Sequence, residues 1–395
     1  MLPWLTERFG NPSGSHSVAR AARAAVDDAR EVVGAAIGVE PGGVIFTAGG
    51  TEADNLAVFG VFTRRPGVIV TTDIEHHAVL EAAEATGARL RKVPVDRFGI
   101  VDLEALAAAL DREVTLVSVM AVNNEIGTVQ PLARVAEIVR RRAPRAALHT
   151  DAVAAMPWLD VAEIAAGYDL VSISAHKFGG PQGVGALGVR EGFDLAPLIH
   201  GGGQERDRRS GTHHVAGIVG MAAAAAATIA HRASEGRRVM ALRDRLVDGI
   251  VAGVPDAVET GRRAAKVAGN AHLLFAGVES EALLVLLDDA GVCASAGSAC
   301  ASGAMEPSHV LLALGIPGPE ALGSLRMSLG PTTTDSEVDL ALNAVPAAVA
   351  GCAPRSPSSR RSERCASSLP CPVASIPRWR RRCSSPTATR SWAPR

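Results

Sequence analysis

Lysine is nearly absent from this 395-residue chain: it occurs only as Lys92, Lys177 and Lys266, although lysine and arginine together number 40. Any chemistry that needs a primary amine therefore has three candidate side chains. Aromatic residues are sparse as well, at 3%, so alanine, valine and leucine must fill the core that a 47% hydrophobic content can supply. Of the six cysteines, Cys352, Cys365, Cys371 and Cys383 lie beyond residue 350, which leaves Cys293 and Cys300 for the body of the chain. Two thiols make no disulfide framework and no signal peptide precedes them, so a reducing cytoplasm is the expected compartment. No apolar run stands out as a bilayer span, because the Ala-rich stretch Met221–Ala230 is short and ends at His231-Arg232. Neither a membrane nor a metal site is expected. The formal net charge is -1, but ten arginines and one acid, Glu363, crowd into residues 351–395. The remainder is acidic, which argues against a nucleic-acid-binding surface as the main function.

What is present is a regular alternation. Helical periodicity over Val18–Ile37 stops at Gly38, and a strand at Val44–Thr47 is followed by a helix at Thr51–Phe62. Strands then read at Gly67–Thr72, Val114–Val119, Ala147–Thr150, Leu170–Ser174 and Gly185–Val189, with helices at Ala78–Gly87 and Leu132–Arg142. Such alternation predicts an α/β fold, a mostly parallel sheet with helices on both faces, whose ligands collect at the carboxyl ends of the strands. Beyond Thr212 the pattern predicts two long helices, Val215–His231 and Glu235–Val251, and then a smaller α+β domain. The expected division is 1–233, 234–350 and a basic tail, 351–395, whose Arg/Ser/Pro composition predicts disorder.

Several residues could carry chemistry. Asp151 ends one strand and Lys177 follows another, 26 residues on, a span that suits one right-handed crossover. A carboxylate and an amine brought together there suit pyridoxal phosphate (PLP): the amine bonds the cofactor and the acid keeps its ring nitrogen protonated. Read alone, the pair is equally a surface salt bridge worth about 0–1 kcal/mol. Gly49-Gly50-Thr51 joins a strand to a helix and can bind an anion or simply turn the chain. His76 can stack on a flat ring and exchange protons, or merely start a helix. Asn123-Asn124 suits a turn, or a hold on a substrate carboxylate. Cys300, within Ser295–Gly303, is a thiol among small residues, reactive if accessible; Cys293, in an apolar run, reads as inert and packed. Arg326 can clamp a carboxylate.

Taken together, these motifs resemble the cysteine desulfurases of the class V aminotransferase group, which have the PLP-dependent transferase type I fold. The matching runs are Arg8-Phe9-Gly10-Asn11-Pro12-Ser13, Gly50-Thr51-Glu52, Glu75-His76, Asn123-Asn124-Glu125-Ile126-Gly127, Asp151-Ala152-Val153, Ser174-Ala175-His176-Lys177, Gly201-Gly202-Gly203-Gln204-Glu205-Arg206, Arg209-Ser210-Gly211-Thr212 and Gly297-Ser298-Ala299-Cys300. The resemblance implies that Lys177 is the Schiff-base lysine, that Asp151 pairs with the ring nitrogen and that His76 stacks on the ring. Gly50, Thr51, Ser174 and His176 would hold the phosphate, with Thr212 reaching the phosphate of a partner subunit in a homodimer. Asn124 and Arg326 would hold the carboxylate of L-cysteine. Cys300 would take the sulfur as a persulfide, release alanine and serve a sulfur acceptor, either a tRNA 2-thiouridine synthase or an iron–sulfur scaffold. A related lyase acting on selenocysteine or cysteine sulfinate and an inactive paralogue are the alternatives.

The sequence departs from the family pattern at three places. Ala154 stands where the family has a glutamine that touches the ring oxygen, a hydrogen bond worth roughly 1 kcal/mol. The family's opening Asn-Ala-Ala-Thr-Thr-type segment precedes the point at which Met1-Leu2-Pro3 begins. The closing helix and tail give way to the Arg/Ser/Pro stretch. Codons can be chosen for 370–379 so that another frame reads Met-Ser-Gly-Gly-Val-Asp-Ser-Ser-Val, which resembles the ATP-binding loop of tRNA 2-thiouridine synthases. The tail is thus expected to be frameshift-derived, or else a genuine basic segment.

Overall fold

The computed structural model describes residues 1–297 and 306–352. Cys300 and the tail from residue 353 lie outside the described residues. Helices α1 (Leu2–Thr6) and α2 (Ser17–Ile37) come first. His16 caps α2 by accepting the Ala19 N–H on Nδ1, and Gly38 ends it at φ 73°, a left-handed position that glycine takes without steric cost. Then follow β1 (Val44–Thr47), α3 (Gly50–Arg64), β2 (Val68–Thr72), α4 (His77–Ala85), β3 (Leu90–Val93) and α5 (Leu103–Ala109). The alternation continues through β4 (Val114–Ser118), α6 (Leu132–Arg142), β5 (Ala147–Asp151), α7 (Val161–Ile164), β6 (Leu170–Ser174) and β7 (Gly185–Val189).

The seven strands form one sheet in the order β1-β7-β6-β5-β4-β2-β3. It is mostly parallel, with β7 antiparallel to both its neighbours. Alternate side chains serve opposite faces, as the strand period demands. Val44, Phe46, Val117, Leu148 and Val171 join one apolar cluster, while Ile45, Leu116, Ala147, Leu170 and Leu187 join another against α3 and α4. Because β1, β2, β4, β5 and β6 run the same way, the segments after Thr47, Thr72, Ser118, Asp151 and Ser174 all emerge at one edge.

The stretch expected to hold two helices is one helix, α8 (Val215–Gly253), 39 residues long. Arg232-Ala233-Ser234-Glu235-Gly236 contains no proline, and one glycine costs only about 1 kcal/mol, too little to break a helix anchored at both ends. Its early residues Ile218, Met221 and Ala225 pack on the first cluster, and Val239, Leu242, Leu246 and Ile250 pack on another. By length and composition α8 could cross a membrane, contrary to the sequence expectation; its two buried stripes are explained by these cores. That further core packs α9 (Ser280–Asp289) and α12 (Asp335–Cys352) on a three-stranded antiparallel sheet of β8 (Val258–Glu259), β9 (Asn270–Leu274) and β10 (Ser324–Ser328) in the order β10-β9-β8, while α10 (His309–Ala313) and α11 (Gly318–Ala321) join a smaller cluster with Ile74, Met120 and Ile126.

Candidate active site

Asp151 closes β5 with its side chain buried and its Oδ1 accepting the Val153 N–H at 2.8 Å. Burial raises its carboxyl to about 6, while the Val153 hydrogen bond and the charge of Lys177 pull the other way. Lys177 sits in the 3-10 turn Ala175–Phe178 that leaves β6, the strand hydrogen-bonded to β5. The same amine helps to depress the imidazoles of His76 and His176, after burial and, for His76, the neighbouring His77. One lysine is therefore felt by a buried carboxylate and two histidines.

His76 caps α4, its Nδ1 accepting the Ala78 N–H at 3.0 Å. Burial, His77 and Lys177 together favour its neutral form, and the acceptor role of Nδ1 leaves the ring proton on Nε2. His77, beside it, is about half exposed.

A cavity of about 650 Å³ opens beside this group, lined by Gly49, Gly50, Thr51, Ser174, His176 and Gly183 among others. The 15-residue α3 starts there, with backbone N–H groups and the positive end of its dipole at the opening. Gly50 permits the close approach: a Cβ would lie 2.8 Å from Val153 Cγ2 and 3.5 Å from Ser174 Cβ. Ser174 Oγ lies 2.9 Å from His176 Nδ1. Glycine backbone, two hydroxyls and a helix start form a donor set suited to a phosphate, next to a buried carboxylate and an amine. These residues fit PLP. Ala154, partly buried against the core, offers the ring only a methyl group.

Arg326, on β10, donates from Nη1 to the backbone oxygen of Asn124 at 3.1 Å, and its buried Nε has no hydrogen-bond partner among the described residues. The two candidates for carboxylate binding are thus in contact. Asn123 Oδ1 fixes their turn by accepting the Glu125 and Ile126 N–H groups at 2.9 and 3.0 Å. Thr212 is exposed and does not line the cavity at Gly50. Arg209, three residues earlier, pairs with Glu52 of α3 at 2.8 Å. The reading of Cys293 as a packed thiol is corrected: it is exposed, because its neighbours Val292 and Ala294 are the ones that pack against the core.

Sequence reasoning passed over a polar stripe beneath Asp151. His149, fully buried, lies 2.8 Å from Ser118 Oγ and 2.9 Å from Ser172 Oγ, with Asp54 of α3 3.6 Å away. Burial drives His149 down to about 3 and Asp54 upward, so both are held neutral. The available signal was the period-two spacing of His149 and Asp151 on a strand otherwise apolar or small.

The aminotransferase class-V family matches residues 1–341. The chain is 45% identical over 355 residues to the IscS-like cysteine desulfurase of Mycobacterium tuberculosis, covering 87% of this chain and 90% of that protein. It is 42% identical over 354 residues to a cysteine desulfurase IscS of Clostridium botulinum, covering 88% and 89%. Among solved structures it is similar to a NifS-like protein at a TM-score of 0.83, with 34% identity, covering 89% of this chain and 94% of that one. It is also similar to SspA in complex with cysteine, with a TM-score of 0.73, 30% identity and coverage of 84% and 94%.

Proposed function

The chain belongs to the aminotransferase class-V family, and from that membership we propose how its residues carry out the removal of sulfur from L-cysteine. The chain is a PLP-dependent cysteine desulfurase. The observation that carries the residue assignments is the placement of Lys177 among buried Asp151 and neutral His76, beside the glycine-lined start of α3. Bound PLP supplies an electron sink that weakens bonds at the substrate's α-carbon and, through it, the carbon–sulfur bond. Lys177 provides the amine that holds the cofactor covalently and passes protons at the α-carbon. Asp151 holds the proton of the ring nitrogen. His76 stacks on the ring and presents a proton on Nε2. Gly50, Thr51, Ser174 and His176 hold the phosphate.

Asn124 and Arg326 orient the cysteine carboxylate. The Cys300 thiolate then forms a sulfur–sulfur bond as the carbon–sulfur bond of the substrate breaks. A proton replaces the sulfur, and the products are alanine and a Cys300 persulfide. The sulfur passes to an acceptor protein, a tRNA 2-thiouridine synthase or an iron–sulfur scaffold. The enzyme works in the cytoplasm as a homodimer in which Thr212 completes the partner's phosphate site, with residues 1–233 and 234–350 as its two lobes.

The test is direct. Purified protein supplied with PLP should show a visible absorption band, and Lys177→Ala should lose it. Cys300→Ser should keep the band yet form no persulfide and release sulfide at least about a hundredfold more slowly, the scale expected when a positioned nucleophile is lost. Normal desulfuration by Cys300→Ser would remove that thiol from the mechanism.

A further inference from the structure

Glu125 follows Asn124 in the turn after β4, and neither cofactor nor substrate binding as described uses its carboxyl group. It is nearly fully buried. Ser308 Oγ donates to its Oε2 at 2.5 Å. The same Oε2 would lie 2.9 Å from a Cβ placed on Gly297, with His272 Nε2 and Ser324 Oγ each 3.3 Å from that point. Three polar atoms from three separate segments thus close around one glycine. Ser324 Oγ accepts the Gly297 N–H at 3.2 Å. His272 Nε2 is buried without a hydrogen-bond partner among the described residues.

Gly297 and Ser308 flank the segment that carries Cys300. Just upstream, Ser295 and Arg326 exchange backbone hydrogen bonds of 3.0 and 2.7 Å, and the Arg326 side chain reaches the Asn124 carbonyl. On the other side Asn270 Nδ2 donates to the Glu125 carbonyl at 2.8 Å. The turn that would hold the substrate carboxylate and both flanks of the thiol segment therefore form one bonded block, with the Glu125 carboxyl at its centre.

We propose that Glu125 is a positioning residue: by holding Ser308 and packing on Gly297, it fixes both flanks of the Cys300 segment against the Asn124 turn. The inference rests on the reading of Cys300 as the sulfur-accepting thiol. A nucleophile on a tether gains rate from the effective concentration its anchors impose, and a displacement of about 1 Å can cost on the order of a hundredfold. The interaction with Ser308 and the nearby Arg326 charge favour the ionised carboxyl, while burial opposes it and raises it to about 7.

The test uses the PLP-loaded enzyme and the variants Glu125→Ala, Ser308→Ala, their double and Glu125→Gln. Two quantities are read: single-turnover persulfide formation on Cys300, and the rate of Cys300 alkylation by iodoacetamide, resolved by mass spectrometry with Cys352 as reference. Each alanine variant should slow persulfide formation roughly tenfold or more and change Cys300 alkylation at least about threefold, while the visible spectral change on adding cysteine keeps its concentration dependence. The double should be no worse than the worse single, and Glu125→Gln, which keeps an oxygen for Ser308, should recover most of the rate. Additive losses, or an alkylation rate unchanged in both single variants, would overturn the proposal. Cys300→Ser separates the two readings: if it still desulfurates, the choice of nucleophile fails, whereas the alkylation comparison judges the tether independently of turnover.

Discussion

The Glu75 carboxyl lies fully buried beside the site, accepting from Thr72 Oγ1 at 2.7 Å and the Met120 N–H at 2.9 Å on the same oxygen, while Oε2 has no partner among the described residues. Burial holds it protonated up to about 8 against an ordinary 4.5. The unfolded chain gives up this proton near 4.5 and the folded chain only near 8, so stability falls as pH rises between those values and is level beyond them. A shift of this size corresponds to at most about 5 kcal/mol. Glu75→Gln keeps an oxygen for Thr72 and Met120 but cannot titrate. Its urea-unfolding free energy should therefore fall less than that of the parent between pH 5 and 8, although Asp151 keeps some of the slope. Parallel curves for the two proteins would assign the slope elsewhere. Residues of this kind are hard to read in a sequence. Asp151 and Lys177 stand out because one is an acid at a strand end and the other one of three lysines. Glu75, His149, Asp54 and Glu125 owe their roles to burial and to partners 45 or more positions away in some cases, as with Glu75 and Met120, and no local pattern encodes that.

Helix α8 shows how far pattern reading extends at the level of elements. Periodicity located its two apolar stripes, and the polar stretch between them read as a break. The structure keeps that stretch helical because each end is anchored in a separate core, and the solvent-facing middle needs only adequate propensity. Gly236 lies in this middle, and an added Cβ there would meet nothing within 4 Å. Gly236→Ala should therefore stabilise the protein by roughly 0.5–1 kcal/mol, raising the melting temperature by about 1–3 °C. No gain in a thermal scan would mean that the middle of α8 is not a continuous helix in solution. The strands at the centre of the sheet were legible within a residue or two because they are apolar on both faces. β3 was not, since Leu90-Arg91-Lys92-Val93 lies at the sheet edge with only Val93 fully buried, and α5 is a short helix following it.

At the scale of the whole molecule, the order of motifs along the chain carried more than any one of them. Five strands running the same way gather Gly50, His76, Asn124, Asp151 and Lys177 to one edge, so a linear spacing becomes a site once the sheet forms. Thr212 stands apart from that gathering: it is exposed and away from the cavity at Gly50. A role for it in phosphate binding requires a second copy of the chain, and this makes the homodimer testable by complementation. Lys177→Ala and Thr212→Ala should each be impaired alone. After mixing, unfolding and refolding together, half of the dimers should be mixed under random pairing. Each mixed dimer has one site with both changes and one with neither, so activity should recover to about a quarter of the parent value. If Thr212 instead served the site of its own chain, every site would carry exactly one change or the other, and mixing would give only the average of the two impaired proteins.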